Sequence, residues 1–184
     1  INKFFMFYER NDIFAMTDTG ATISEKMVED GEYADHAFTV YNNADEERTY
    51  RVWLFNRGAL PLTPNQSDDY LLFKDLNGNK VVDVGEPEIE ANELITLAAN
   101  TDLNLILRQT ADFEGWYGHY LKHDRKMTQA SFAMQEVTSL KSAGFHTRLW
   151  EGTPAEQATQ ETWFANHKYP PAPSEWATYP QFNN

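Results

Sequence analysis

The densest group of oxygen-bearing side chains in this sequence lies between Asp75 and Glu86. The stretch Asp75-Leu-Asn77-Gly-Asn79-Lys-Val81-Val-Asp83-Val-Gly-Glu86 places them at its first, third, fifth, ninth and twelfth positions. Calcium takes six to eight hard oxygen ligands, and this spacing wraps a short loop around one ion. Asp75, Asn77 and Asn79 are the expected side-chain donors. Val81 would give its backbone carbonyl, Asp83 a direct or water-mediated contact, and Glu86 both carboxylate oxygens. An Asn-Gly hairpin turn is the bland alternative. Such a turn needs only Asn77-Gly78 and makes no demand on Asp83 or Glu86.

One position departs from the usual pattern. The sixth residue of such loops is normally Gly, because the backbone turns there with positive φ. Here it is Lys80. A left-handed lysine costs roughly 1 kcal/mol, so the expected affinity is micromolar to millimolar, as in extracellular modules. The flanking sequence is not that of a helix–loop–helix pair. Tyr70-Leu-Leu-Phe73 favours a strand, and Pro87 follows the loop at once.

Other chemistry finds less support. His119 and His123 are spaced to share a helix face, as zinc ligands can be, but Tyr120 stands where a metalloprotease helix has glutamate. There is no cysteine, hence no disulfide, thiolate site or thiol nucleophile. No Gly-x-Ser-x-Gly elbow, phosphate loop or dinucleotide fingerprint occurs. The sequence therefore predicts no enzyme. Trp116, Tyr117 and Tyr120 form an aromatic cluster that suits either a sugar-stacking platform or the capped end of a sandwich.

The elements that must position the loop read as strands. Ala34–Tyr41 alternates, as does Thr49–Phe55, with Tyr50, Val52 and Leu54 on one face. Tyr70–Phe73 is short and apolar. Leu103, Leu105 and Leu107 alternate with Asn104, Ile106 and Arg108, and Ala130, Phe132 and Met134 repeat the pattern. Turn sequences separate them, among them Glu29-Asp-Gly, Asn42-Asn-Ala-Asp and Ala99-Asn-Thr-Asp. Short strands at such intervals, with no βαβ rhythm, predict a sandwich or barrel. Near the C-terminus, Thr153-Pro-Ala-Glu156 has the signature of a capped helix start, predicting a short helix to about Asn166. An extended tail holding Trp176, Tyr179 and Phe182 follows.

Composition bounds the partners. The net charge of −13 disfavours phosphate backbones and anionic membrane surfaces. No apolar run approaches the ~20 residues that span a bilayer. A chain beginning at Ile1 fits a processed protein whose signal peptide is gone, and a chain trimmed by other means would look the same.

With these residues in hand, the chain resembles a known group. Gly31-Glu-Tyr-Ala-Asp-His-Ala-Phe-Thr-Val-Tyr-Asn-Asn, the loop ending in Gly85-Glu86-Pro87, and Leu97-Ala-Ala-Asn before Leu103–Leu107 resemble the DUF11-type immunoglobulin-like repeats of bacterial and archaeal surface proteins. The EF-hand-like loop also resembles the Asp-x-Asn-Gly-Asn loops of surface-adhesin B-type repeats. The resemblance implies an all-β, immunoglobulin-like β-sandwich, extracellular or at the cell surface, over residues 20–140. It implies no catalysis. Residues 1–19 would form an N-terminal arm and 141–184 a C-terminal extension. In the arm, Phe4, Phe5, Met6, Phe7 and Tyr8 would make a strand apolar on both faces. Such a strand must be covered, by its own sheet or by a neighbour's through strand addition. The expectation is a secreted, calcium-stabilised structural subunit that self-associates into a filament or surface layer. The alternative is an adhesin or carbohydrate-binding module taking a glycan or surface ligand.

Overall fold

A computed structural model describes residues 12–56, 70–111, 113 and 127–153. Ten strands fill this region: β1 (Ile13–Met16), β2 (Ile23–Val28), β3 (Tyr33–Asn42), β4 (Arg48–Asn56), β5 (Tyr70–Lys74), β6 (Glu88–Ile89), β7 (Leu94–Leu97), β8 (Thr101–Thr110), β9 (Met127–Glu136) and β10 (Ser142–Glu151). One sheet has the order β1-β3-β8-β5-β6 and the other β2-β10-β9-β4-β7. Every pairing is antiparallel except that of β2 with β10, which is parallel. The runs β1-β3-β8-β5 and β4-β9-β10 reproduce the two sheets of an immunoglobulin constant domain, in sheet order and in chain order. The first strand is divided: β1 stays with β3, and β2 crosses to the opposite sheet. Strands β6 and β7 are additions between the fourth and fifth strands of that plan. The protein is an all-β, immunoglobulin-like sandwich.

Alternation drives the packing. Along β3, Ala34, His36, Phe38, Val40 and Asn42 are buried and their neighbours less so. Tyr50, Val52 and Leu54 of β4 do the same in the other sheet. Between the sheets, the Phe38 ring stacks on Phe145 at 4.2 Å between centroids and 9° between planes, and meets Phe132 edge-on at 5.0 Å. All three rings are buried, and each Å² of apolar area so removed from water contributes about 25 cal/mol.

Two buried polar groups fix the ends of the sandwich. Asn42 is fully buried at the end of β3. Its amide donates to the carbonyls of Glu46, Leu97 and Ala98, and its Oδ1 accepts from the Ala44 amide and the Tyr50 hydroxyl. One side chain thus ties the β3–β4 turn to the β7–β8 turn. Further along, Gln109 takes the Thr147 hydroxyl and donates to Thr128, linking β8, β10 and β9 across the core.

The sandwich is longer than the 20–140 predicted. Strand β1 lies inside the first sheet, and β10 sits between β2 and β9 in the second. Residues 142–151 are therefore core, with Phe145 and Leu149 fully buried. The signal was obscured because the inward row of β10 includes Thr147 while Gly144, His146 and Arg148 face outward. The arm residues Phe4–Tyr8, the expected helix 154–166 and the aromatic tail lie outside the described residues. So do His119, His123, Trp116, Tyr117 and Tyr120.

Candidate metal-binding loop

The predicted calcium loop joins β5 to β6. Its base is closed by the Lys74 amide donating to the Pro87 carbonyl, and it is tied to β8 by the Asp75 amide donating to the Asn104 carbonyl. Leu72 and Ile89, paired across β5 and β6, are buried beneath it. The loop therefore leaves and re-enters a rigid ladder.

Within it the backbone folds around the side chains that the spacing singled out. Asp75 is buried at the loop's start. Its Oδ1 accepts from the amides of Gly78 (2.7 Å) and Asn79 (3.2 Å), and its Oδ2 from the amide of Lys80 (2.9 Å). The Oδ1 of Asn77 takes the Asn79 amide and the Oδ1 of Asn79 takes the Val81 amide, two successive Asx turns. The side-chain amides of Asn77 and Asn79 both reach Asp83 Oδ2, each at 2.7 Å. Glu86 closes the loop, its Oε1 accepting from the Leu76 amide and its Oε2 from the Asp83 amide, both at 2.9 Å. Val81 is half exposed.

Lys80 adopts φ +66° and Gly78 φ +72°. The sixth position is thus left-handed, as a loop of this kind requires, although it carries lysine. A single-residue conformational cost is offset locally by the Lys80 amide on Asp75. The lysine side chain has a second role that the sequence did not reveal: its ammonium lies 2.5 Å from Asp18 Oδ2, in the β1–β2 connection. This hydrogen bond holds the Asp18 carboxyl below its ordinary range.

The side chains of the loop are of the kind a hard cation takes, carboxylates and side-chain amides beside a backbone carbonyl. Asn77, Asn79 and Asp83 are brought together. Asp75 and Glu86 instead hold the loop's two ends through backbone amides. Among the described residues, no three Asp, Glu or His side chains cluster closely enough to form a carboxylate or imidazole metal site.

No family model matches the chain, and no curated protein matches it either. Among solved structures, it is similar to an ASH/PapD-like domain of a human protein, at 7% identity and TM-score 0.39, covering 78% of this chain and 85% of that one. It is similar to the CooA pilin subunit of enterotoxigenic Escherichia coli, at 10% identity and TM-score 0.41, over 77% and 98%. A family 123 glycoside hydrolase from Clostridium perfringens is also similar, at 8% identity and TM-score 0.46, over 77% of this chain and 27% of the enzyme. These likenesses assign no activity to this chain.

Proposed function

We propose that this chain is a secreted structural subunit of an extracellular filament or surface layer, and that loop 75–86 binds one calcium ion to brace its sandwich. The observation that carries the calcium reading is the left-handed Lys80, whose amide is held by Asp75 in a loop closed at its far end by Glu86. A plain Asn-Gly hairpin asks for none of these contacts. Asp75, Asn77, Asn79, Asp83 and Glu86 would hold the ion with the Val81 carbonyl, the carboxylates of this short loop drawing together around it. The resemblance to surface-protein repeats and the acidic surface support export to a calcium-rich setting.

Assembly would proceed through Phe4, Phe5, Met6, Phe7 and Tyr8, which precede β1 closely in sequence. Among the described residues β1 ends its sheet, so an added strand would continue an existing ladder. Head-to-tail addition propagates instead of closing, which suits a filament.

The test of calcium binding is thermal unfolding in chelator and in millimolar calcium. An ion that binds only the folded state stabilises it by RT ln(1 + [L]/Kd), about 2.7 kcal/mol at 100-fold excess. Asp75→Ala and Glu86→Ala should each shrink that gain. Superimposable melting curves in the two conditions would sink the calcium reading. Electron microscopy of the protein with calcium tests the assembly: filaments or sheets support it, and dispersed monomers that bind glycans favour an adhesin instead.

A further inference from the structure

We infer that Lys80 makes the loop a latch on the β1–β2 crossover, so that an ion bound at loop 75–86 orders the segment where the first strand changes sheets. This rests on the calcium reading of the loop and extends it to a partner element inside the same chain.

The crossover is a short turn. β1 leaves β3 after the pair Met16–Thr39, and β2 begins at Ile23 beside His146 of the other sheet. Between them Thr17 makes four local bonds. Its amide donates to the Ala21 carbonyl, its carbonyl accepts from the Gly20 amide, and its hydroxyl accepts from the Ala21 amide and shares a hydrogen bond with the Thr19 hydroxyl. None of these reaches beyond the turn. At its far end the Thr22 carbonyl accepts from the His146 amide of β10, and at its tip Asp18 meets Lys80 of the loop, across 62 residues of sequence.

Where Lys80 points depends on its backbone. The left-handed φ is held by the amide's bond to Asp75, and the residues on either side are Asn79 and Val81, two of the candidate ligands. Whatever fixes Asp75, Asn79 and Val81 also fixes the backbone from which the lysine departs. Glycine, the usual residue here, would allow the same loop path with no reach across to the turn. Lysine at this position thus converts a local closure into a link to the crossover. A cleft of about 380 Å³ lies beneath the link, lined among others by Thr17, Asp18, Ser24, Lys26, Thr39 and Asp75. The loop and turn are thus two walls of one opening, joined at its rim.

The effect is bounded by the worth of an exposed ion pair, up to about fivefold in an equilibrium constant. By linkage, the loop and the turn must favour each other by the same factor. The test follows hydrogen exchange of the Gly20 and Ala21 amides by NMR on the full chain, in chelator and in millimolar calcium, beside a calorimetric calcium titration. In the unmodified protein, calcium should slow exchange in the turn by up to about fivefold. In Asp18→Ala and Lys80→Gly, calcium should still bind while turn exchange ceases to respond. Asp18→Ala should weaken calcium binding by the factor lost from the turn. Calcium binding that leaves turn exchange unchanged in the unmodified protein, or an equal response in Asp18→Ala, overturns the latch and leaves the ion site standing. No heat of binding in the unmodified protein removes the ion site, and the latch with it.

Discussion

His36 is a buried ionisable group whose neutrality makes this sandwich sensitive to acid. It is fully buried on β3, with Nδ1 at 2.7 Å from the Ser24 hydroxyl, the Gln109 side chain close by and, among the described residues, no well-formed hydrogen bond to Nε2. Burial, with the Lys26 ammonium nearby, lowers its pKa from 6.5 to about 3. At pH 7 the imidazole is neutral whether the chain is folded or not. As pH falls below 6.5, the unfolded chain takes up a proton that the folded one refuses until about pH 3. Stability falls by about 1.36 kcal/mol per pH unit through this window, and the loss levels off below the folded pKa. From pH 6.5 to 4.5 the loss attributable to this one ring is about 2 kcal/mol. Carboxylates titrate toward the lower end of the range, so the informative quantity is a difference. Urea unfolding of the unmodified protein and of His36→Gln, at pH 7.0 and 4.5, isolates the ring, because glutamine keeps a polar side chain and does not titrate. The variant should be the less stable at pH 7, through imperfect packing and a changed bond to Ser24. At pH 4.5 the gap should close, or invert, by about 2–3 kcal/mol. A gap constant to within about 0.5 kcal/mol across the two conditions would refute a histidine held neutral in the core.

Two further outcomes follow from the packing. Asn42→Leu removes a side chain that satisfies three carbonyls, an amide and the Tyr50 hydroxyl, so it should cost about 2–4 kcal/mol in denaturant unfolding and slacken the two turns it joins. A loss under about 1 kcal/mol would mean that the bonds are replaced by water or by turn rearrangement. Phe38→Ala empties the space between Phe132 and Phe145 and should cost about 3–5 kcal/mol by the same measurement, whereas Phe38→Leu should recover more than half of that.

The long strands were legible in the sequence because their alternation is an energetic requirement. In β3, β4 and β8 a one-residue slip would turn the apolar row to solvent, so the pattern is written residue by residue. Strands β1, β6 and β7 span two to four residues, too short for a period to emerge, and they exist because a longer neighbour offers a ladder edge. In β10 the inward row includes Thr147, which is buried only because Gln109 on β8 accepts its hydroxyl. That partner is supplied by folding and leaves no trace in the local sequence.

The loop divides in the same way. The spacing of its candidate ligands is local chemistry, and Asp75, Asn77, Asn79, Asp83 and Glu86 could be chosen from sequence alone, because all of them lie within twelve consecutive residues. The sequence also marked Lys80 as the residue out of pattern. It could not say what the lysine is for. Asp18 lies 62 residues away, and the two meet only because β1, β3 and β8 stand side by side, with the loop tied to β8 through Asn104. The resistance of His36 to protonation is of this second kind too: the sequence places an imidazole on the inward row of a strand, but the closing of the second sheet over it removes the water that would solvate its charged form.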